Sequence, residues 1–344
     1  MTATPASDPL SDVLRHVQFR ASVFYYVNLW ATWAVEAMPA RQIASVVLPG
    51  VSQVMEFHLV AKGSGWARVE GMPPVPLAAG DIVVFPHGDQ HVLCSTLDTR
   101  PVLREATWVR TSADEPRPIP IVYQRGALSP VVAAPVHDAE TILVCGFLGC
   151  KAKLFAPFAS ALPPLLHLPA ERSSPWVAAV IDQAARETNQ RRPGGSAVLE
   201  RLSEMMFVDT LRRYLEQLPE GATGWFAAAR DRHVGNALAA IHAKPERAWT
   251  VEELGRIAGL SRSALHERFV AVLGQTPGQY LARWRVQVGA ELLRETQSPV
   301  LSIAQDVGYA SEAAFSRAFK RITGLPPAAW RRTAAKPGRD LPAH

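Results

Sequence analysis

Between residues 250 and 273 the apolar positions fall at helical spacing and are punctuated by capping chemistry. Thr250 precedes Val251 with Glu253 three residues on, a capping box that satisfies two orphan helix amides, and Leu254, Ile257 and Ala258 supply a short apolar face. Gly259 ends that helix and Ser261 opens the next. There Leu265, Phe269 and Val272 recur at spacings of four and three and leave Arg262, Ser263, His266 and Glu267 facing out. The same grammar returns further on. Ser302 with Gln305 reads as a capping box, Ile303, Ala304 and Val307 as an inner face, and Gly308 as a break. Ser311 then starts a helix that turns Phe315, Phe319 and Ile322 inward and Glu312, Ala313, Ser316, Arg317 and Lys320 outward. Ser261 and Ser311, Leu265 and Phe315, Phe269 and Phe319, Gly274 and Gly324, and Pro277 and Pro327 are all separated by 50 positions.

Each copy therefore has the layout of a helix-turn-helix. Between them Thr276-Pro277-Gly278-Gln279 is a third capping box with proline at the first helical position, and Tyr280, Trp284, Val288 and Leu292 carry a helix over 277–296. At about 1.5 Å per residue it is a rod of about 30 Å, close to the roughly 34–36 Å of one duplex turn. Residues 233–332 resemble the DNA-binding domain of the AraC/XylS transcription regulators. The resemblance is carried by LGRIAGLSRSALHERF and SIAQDVGYASEAAFSRAFKRITGLPP. It implies two recognition helices in successive major grooves, with Arg262, His266, Glu267, Ser316 and Arg317 at base edges and Ser263, Glu312 and Ala313 beside them. Arg268, Lys320 and Arg321 would touch the backbone or pack. Where many members carry arginine two positions after the first recognition helix's leucine, this chain has Glu267, a carboxylate able to accept from cytosine N4.

From about residue 42 to 109 the pattern changes to short β-branched and aromatic runs cut by Gly and Pro: IASVVLPG, VMEFHLVAKG, GWARVEG, DIVVFPHGD and PVLREATWV. This predicts strands of a sandwich or barrel. GDIVVFPHGDQHVLCS resembles the second motif of cupin barrels, with Ser95 where asparagine is usual. GVSQVMEFHLVAKG resembles the first more loosely, with Glu56 in place of its first histidine, His58 as its second, and Lys62 or Gly63 in place of its glutamate. Glu56 and His58, two apart on a strand, share a face; with His91 they would make a facial set for a divalent metal, and His87 is a substitute. The same residues can equally be polar groups lining an organic effector pocket. Cys145 and Cys150 have a spacing that zinc accepts and read otherwise as buried thiols; Cys94 reads as core. With TILVCGFLGC and ALPPLLHLP, the N-terminal half resembles the cupin-type sensor attached to a subgroup of AraC/XylS regulators.

Pro175 opens a helix over 176–189, the turn RRPGGS follows, and Leu199, Leu202, Met206, Val208, Leu211 and Leu215 mark a second over 197–218. Their apolar surface either packs on the barrel or pairs two chains; in related regulators such helices pair chains, which implies a homodimer. PEGATG, residues 219–224, has linker chemistry.

Composition sharpens this reading. The chain has 344 residues and a formal net charge of +5, yet from Phe226 onward there are 17 Lys and Arg against 10 Asp and Glu, with 19 against 21 in the rest. The basic excess sits where phosphates are to be bound. Residues 21–35 are too short for a membrane span, residues 154–170 are broken by four prolines, and the N-terminus lacks a secretory pattern, so a cytoplasmic protein is expected. Three cysteines do not make a disulfide framework.

The expected fold class is α+β. A cupin-like β-barrel that senses an effector covers 1–170, a helical hairpin with linker 171–224, and an all-α domain 225–335. The last holds helix-turn-helix units at about 250–273 and 302–323. The resemblance implies a sequence-specific transcription regulator, usually an activator, that binds double-stranded DNA and answers to a small-molecule effector and RNA polymerase. The alternative is a metal-dependent cupin enzyme fused to a DNA-binding domain.

Overall fold

The computed structural model describes residues 8–16, 19–49, 51, 53–103, 117–124, 126–131, 139–150, 156–172, 175–190 and 192–334. They form two compact units. The first is built on twelve strands: β1 (Phe19–Leu29), β2 (Ala34–Ala37), β3 (Gln53–Lys62), β4 (Ser64–Val69), β5 (Val75–Ala78), β6 (Ile82–Phe85), β7 (His91–Cys94), β8 (Val102–Leu103), β9 (Ile119–Gln124), β10 (Ala127–Pro130), β11 (Thr141–Cys150) and β12 (Leu166–Leu168). Seven make one sheet in the order β10-β9-β1-β11-β3-β6-β12, and five make the other in the order β5-β4-β7-β2-β8. Alternation gives each strand an inner face. Tyr25, Val27 and Leu29 of β1, Val83 and Phe85 of β6, and Leu143, Cys145 and Phe147 of β11 share one core with Ala67, Leu77 and Leu93 of the smaller sheet.

Two of these elements differ from the pattern reading. The strands begin at Phe19, well before residue 42, and the run that starts at Ile43 opens as helix: a short 3-10 turn, Ala40–Gln42, leads into α2 (Ala44–Val47). Ile43, Val47 and Leu48 are the buried members of that run, four and five apart, so their burial follows a helical period and overrides β-branched propensity. PVLREATWV contributes Val102 and Leu103 to β8, and residues 104–109 lie outside the described residues.

The helical hairpin, α4 (Pro175–Gln190) and α5 (Gly195–Gln217), belongs to this unit and packs across β1. Leu199, Met206, Phe207 and Leu211 face the sheet, and Tyr26 and Asn28 on the outer face of β1 are buried accordingly. Val198 and Met205 on the opposite side of α5 are 47% and 43% exposed, with Leu202, Val208 and Leu215 half-buried along the same side.

The second unit is helical. It contains α1 (Pro9–His16), α3 (Ala156–Ala159), α6 (Trp225–Arg230), α7 (Arg232–Ala243), α8 (Val251–Ala258), α9 (Arg262–Leu273), α10 (Pro277–Glu295), α11 (Val300–Asp306), α12 (Glu312–Thr323) and α13 (Pro327–Ala334). Within these units α1 and α3 pack with the C-terminal helices, and the hairpin packs with the sheets. Leu10 and Val13 bury α1 against this unit, Asp12 lies 3.6 Å from His242 of α7, and His16 bonds Glu291 of α10 at 2.7 Å. Both histidines lie against Trp284, His242 stacked at 3.9 Å and His16 edge-on at 5.1 Å.

Candidate nucleic-acid interface and sensor pocket

The first helix-turn-helix forms as its sequence dictates. Thr250 and Glu253 close a reciprocal capping box on α8, Gly259 ends it with φ +69°, and the Ser261 side chain caps α9 by accepting from the Ala264 amide. In the second copy Ser311 does the same for α12, accepting from Ala314. Ser302 does not cap α11. Pro299 fixes the chain for an earlier start, α11 begins at Val300, and Ser302 lies inside the helix, so the Ser302–Gln305 box is not made. The turns also differ by one residue: two positions separate Gly259 from Ser261, and three separate Gly308 from Ser311.

Both recognition helices have 12 residues and end on left-handed glycines, Gly274 and Gly324. Leu265, Phe269, Phe315 and Phe319 are buried, whereas Ile257 and Ile322 are 43% and 37% exposed instead of inward. Two apolar anchors per recognition helix suffice to seat it. Arg262, Ser263, His266, Glu267, Glu312, Ala313, Arg317, Lys320 and Arg321 are exposed and Ser316 is half-buried. Arg268 is exposed but engaged: its Nε and Nη2 donate to Asp231 Oδ2 at 2.9 and 2.6 Å, while Asp231 caps α7. Burial works against the charged form there, yet Arg268 and the amides of Val234 and His233 hold the Asp231 carboxyl below its ordinary value. The connecting helix α10 runs 19 residues from its Thr276–Gln279 capping box, about 29 Å at 1.5 Å per residue. Tyr280 and Trp284 in its first half close the core of the first copy; Val286, Ala290 and Leu293 join Ile303, Phe315 and Phe319 in that of the second.

The sheet unit contains a small pocket of about 40 Å³ lined by Tyr25, Val27, Leu29, Leu93, Ile121 and Leu143 with His58 and His91 as its polar corner. His58 comes from β3, His91 opens β7, and Glu56 shares the face of His58; all three are buried, with ligand atoms within 4.8 Å of one another. The two Nε2 atoms are 2.9 Å apart, and Glu56 Oε1 is 3.8 Å from His58 Nε2. His91 Nδ1 lies 2.9 Å from the Asp89 carbonyl, an acceptor only, so this nitrogen donates and Nε2 presents its lone pair to His58. A 2.9 Å separation suits a hydrogen bond between imidazoles; it also suits two nitrogens at about 2.1 Å from one ion, and a ring held by a carbonyl on its far side is the usual setting of a metal ligand. The residues fit a divalent ion.

The other expected ligands do not converge on it. His87 points to the Leu162 carbonyl at 3.0 Å. Cys145 pairs with His58 across β11 and β3 and lines the pocket, but Cys150, an odd number of positions along the same strand, lies on the opposite face. Both thiols are buried, and the strand keeps them from sharing an ion. The sequence pattern missed the apolar wall supplied by β1 and β9. The alternating run from Tyr25 to Leu29 carried the signal.

Comparison with known proteins agrees with both halves. Residues 8–216 match a family model described as cupin, and residues 254–333 match one described as a helix-turn-helix domain. An AraC-like transcription regulator of Streptomyces lividans is 31% identical over 335 residues, 96% of this chain and 100% of the relative. The HTH-type transcriptional regulator AlkR of Acinetobacter baylyi is 27% identical over 317 residues, covering 91% and 95%. The RCS-specific HTH-type transcriptional activator RclR of Escherichia coli is 31% identical over 199 residues, covering 57% and 69%. The chain belongs to the AraC family of transcription regulators and carries a cupin domain ahead of its helix-turn-helix domain.

Proposed function

We propose that the chain is an effector-controlled transcription regulator, an activator in its usual output, whose two recognition helices read adjacent and unequal DNA subsites. The observation that carries this reading is the pair of outward sets. At positions 50 apart stand Arg262 and Glu312, Ser263 and Ala313, His266 and Ser316, Glu267 and Arg317, Val270 and Lys320. Recognition helices of equal length with opposite charges at two of five positions do not favour the same bases. Arginine suits guanine and a carboxylate suits the cytosine amino group, so the operator element is an ordered pair of different subsites. Selection by the full chain from random-sequence duplex, followed by hydroxyl-radical footprinting, tests this. Two protected patches about 10–10.5 base pairs apart on one face are expected. A single short patch, two identical half-sites, or no preference defeats it.

The effector of this reading occupies the apolar pocket with His58 and His91 at its polar group. The pocket walls are apolar with one polar corner, the make-up of sites that take small organic molecules. Leu143→Trp, which fills the pocket, is expected to abolish the response to effector while leaving operator binding within twofold. A second reading is that Glu56, His58 and His91 hold a divalent ion, supported by their convergence within 4.8 Å. Metal content after purification without chelator, compared between the wild type and His91→Ala, separates the two. The exposed side of α5, with Val198 and Met205, is the surface we assign to pairing with a second copy, and RNA polymerase is the partner that activation requires. Because the relatives are regulators and the pocket is apolar apart from its one corner, we infer a sensor rather than an enzyme.

A further inference from the structure

The two helix-turn-helix units share α10, which sets their distance and, through its residues in both cores, part of their orientation. A lateral tie adds to this, built around Arg285 at the middle of α10. Its Nε donates to the Pro245 carbonyl at 2.7 Å, and Nη2 donates to the carbonyls of Arg247 at 2.9 Å and Glu246 at 3.5 Å. Those carbonyls belong to the loop that leads into α8. That loop is itself stiff: Trp249 Nε1 donates to Lys244, Arg247 lies 4.4 Å over the Trp249 ring, and Arg247 pairs at 2.9 Å with Glu253, half of the α8 capping box. The guanidinium is therefore coupled to the first unit through backbone and charge.

On the other side the same guanidinium lies 5.6 Å from the Tyr309 ring in the turn of the second unit. Gly308 in that turn has φ +89°, and a Cβ there would fall 2.5 Å from the Glu246 carbonyl oxygen and 2.7 Å from Arg285 Nη2. The turn of the second unit thus presses its backbone on the loop of the first, at the point where Arg285 bonds that loop. Glycine is required twice over, for its conformation and for the close approach. Three positions later Ser311 caps α12, so the turn held at this node aims the second recognition helix.

We propose that Arg285, together with Gly308, is a positioning residue that fixes the phase of the two recognition helices and so selects the separation between DNA subsites that the protein accepts. Inserting one base pair moves a subsite by about 3.4 Å along the duplex and turns it by about 34°, a displacement that a rigid pair of units resists and a loosened pair follows. Lysine replaces this arginine only in part, since a single ammonium does not hold three carbonyls in the plane of a fork.

This assignment rests on the DNA reading above. It is tested with the full chain on three probes: the duplex selected by the wild type, that duplex with one base pair inserted or deleted between its subsites, and that duplex with one subsite scrambled. For Arg285→Ala the ratio of affinities for native and shifted spacing is expected to fall about tenfold, the scale of lost charge-assisted hydrogen bonds, while binding to the single intact subsite stays within about twofold. Arg285→Lys should fall between, and it carries the test should the alanine variant lose its cooperative melting transition. An unchanged ratio in a folded variant, with affinity lost equally at both spacings or not at all, overturns the assignment. A wild type that selects no paired site overturns the DNA reading itself instead.

Discussion

In the reading proposed above, single side chains on the two recognition helices carry the discrimination, and Arg317 is the first of them to test. It is exposed on α12 beside half-buried Ser316, with the buried pair Phe315 and Phe319 holding the helix still. A bidentate contact to guanine contributes about 1–3 kcal/mol of discrimination, so Arg317→Ala should relax preference at one position by about tenfold or more in a base-by-base binding profile. A profile that stays unchanged removes Arg317 from the interface. Arg268 is expected to behave differently, because Asp231 already engages its Nε and Nη2. The histidines at Trp284 give a second residue-scale expectation. The Glu291 hydrogen bond raises the His16 pKa above its ordinary 6.5 against the opposing effect of burial, whereas burial lowers that of His242 despite Asp12. A raised folded value means that the His16–Glu291 pair stabilises fully below about pH 6.5 and loses that contribution as pH rises through the raised value. His242 works in the opposite sense, stabilising above pH 6.5 and losing its contribution as pH falls through its lowered value. Glu291→Gln should therefore lower the melting temperature at pH 6 and have a smaller effect at pH 8. An equal loss at both values would show that the pair's charge is not what is lost.

Elements whose ends are marked by capping chemistry were legible; those set by neighbours were not. Thr250–Glu253, Thr276–Gln279, Ser261 and Ser311 are local devices, since a side chain satisfies an amide two or three residues on, and the helices start where those residues stand. Ser302 had the same local credentials but sits after Pro299, which moves the helix start upstream. Thr250→Ala is accordingly expected to cost about 1 kcal/mol in chemical denaturation of the full chain, and Ser302→Ala no more than about half of that, Ser302 being an interior position. Equal costs would restore a capping role to Ser302. The run at residues 43–48 departs from its strand-like pattern for the complementary reason: a short β-branched segment does not announce its period, and burial of Ile43, Val47 and Leu48 favours the helix. In the candidate site, Glu56, His58 and His91 were legible because alternation on one strand and a motif on another place them. Cys145 and Cys150 misled because a five-residue step suits a loop, and β11 is a strand. Helix α1 offered only a few apolar positions in a short run, too few to announce where it docks.

At the scale of the whole molecule the decisive property is the uneven charge. The chain from Phe226 onward holds 17 cationic against 10 anionic side chains, while the remainder is slightly acidic, so attraction to a duplex is concentrated in the part that reads it. Neutralising about six phosphates gives a slope of about −5 in log affinity against log salt, hence a loss of about 10³ between 50 and 200 mM. Lys320, exposed at the position matching Val270 of the first copy, is the residue we assign to one such contact. Lys320→Ala should weaken all sequences alike and reduce the slope by about one, whereas Arg317→Ala should change preference more than slope. Titrations of operator and scrambled duplex at four salt concentrations measure both quantities at once. A slope near zero for the wild type would mean that the basic excess serves another surface. An altered sequence preference in Lys320→Ala would move that residue from the backbone to a base edge.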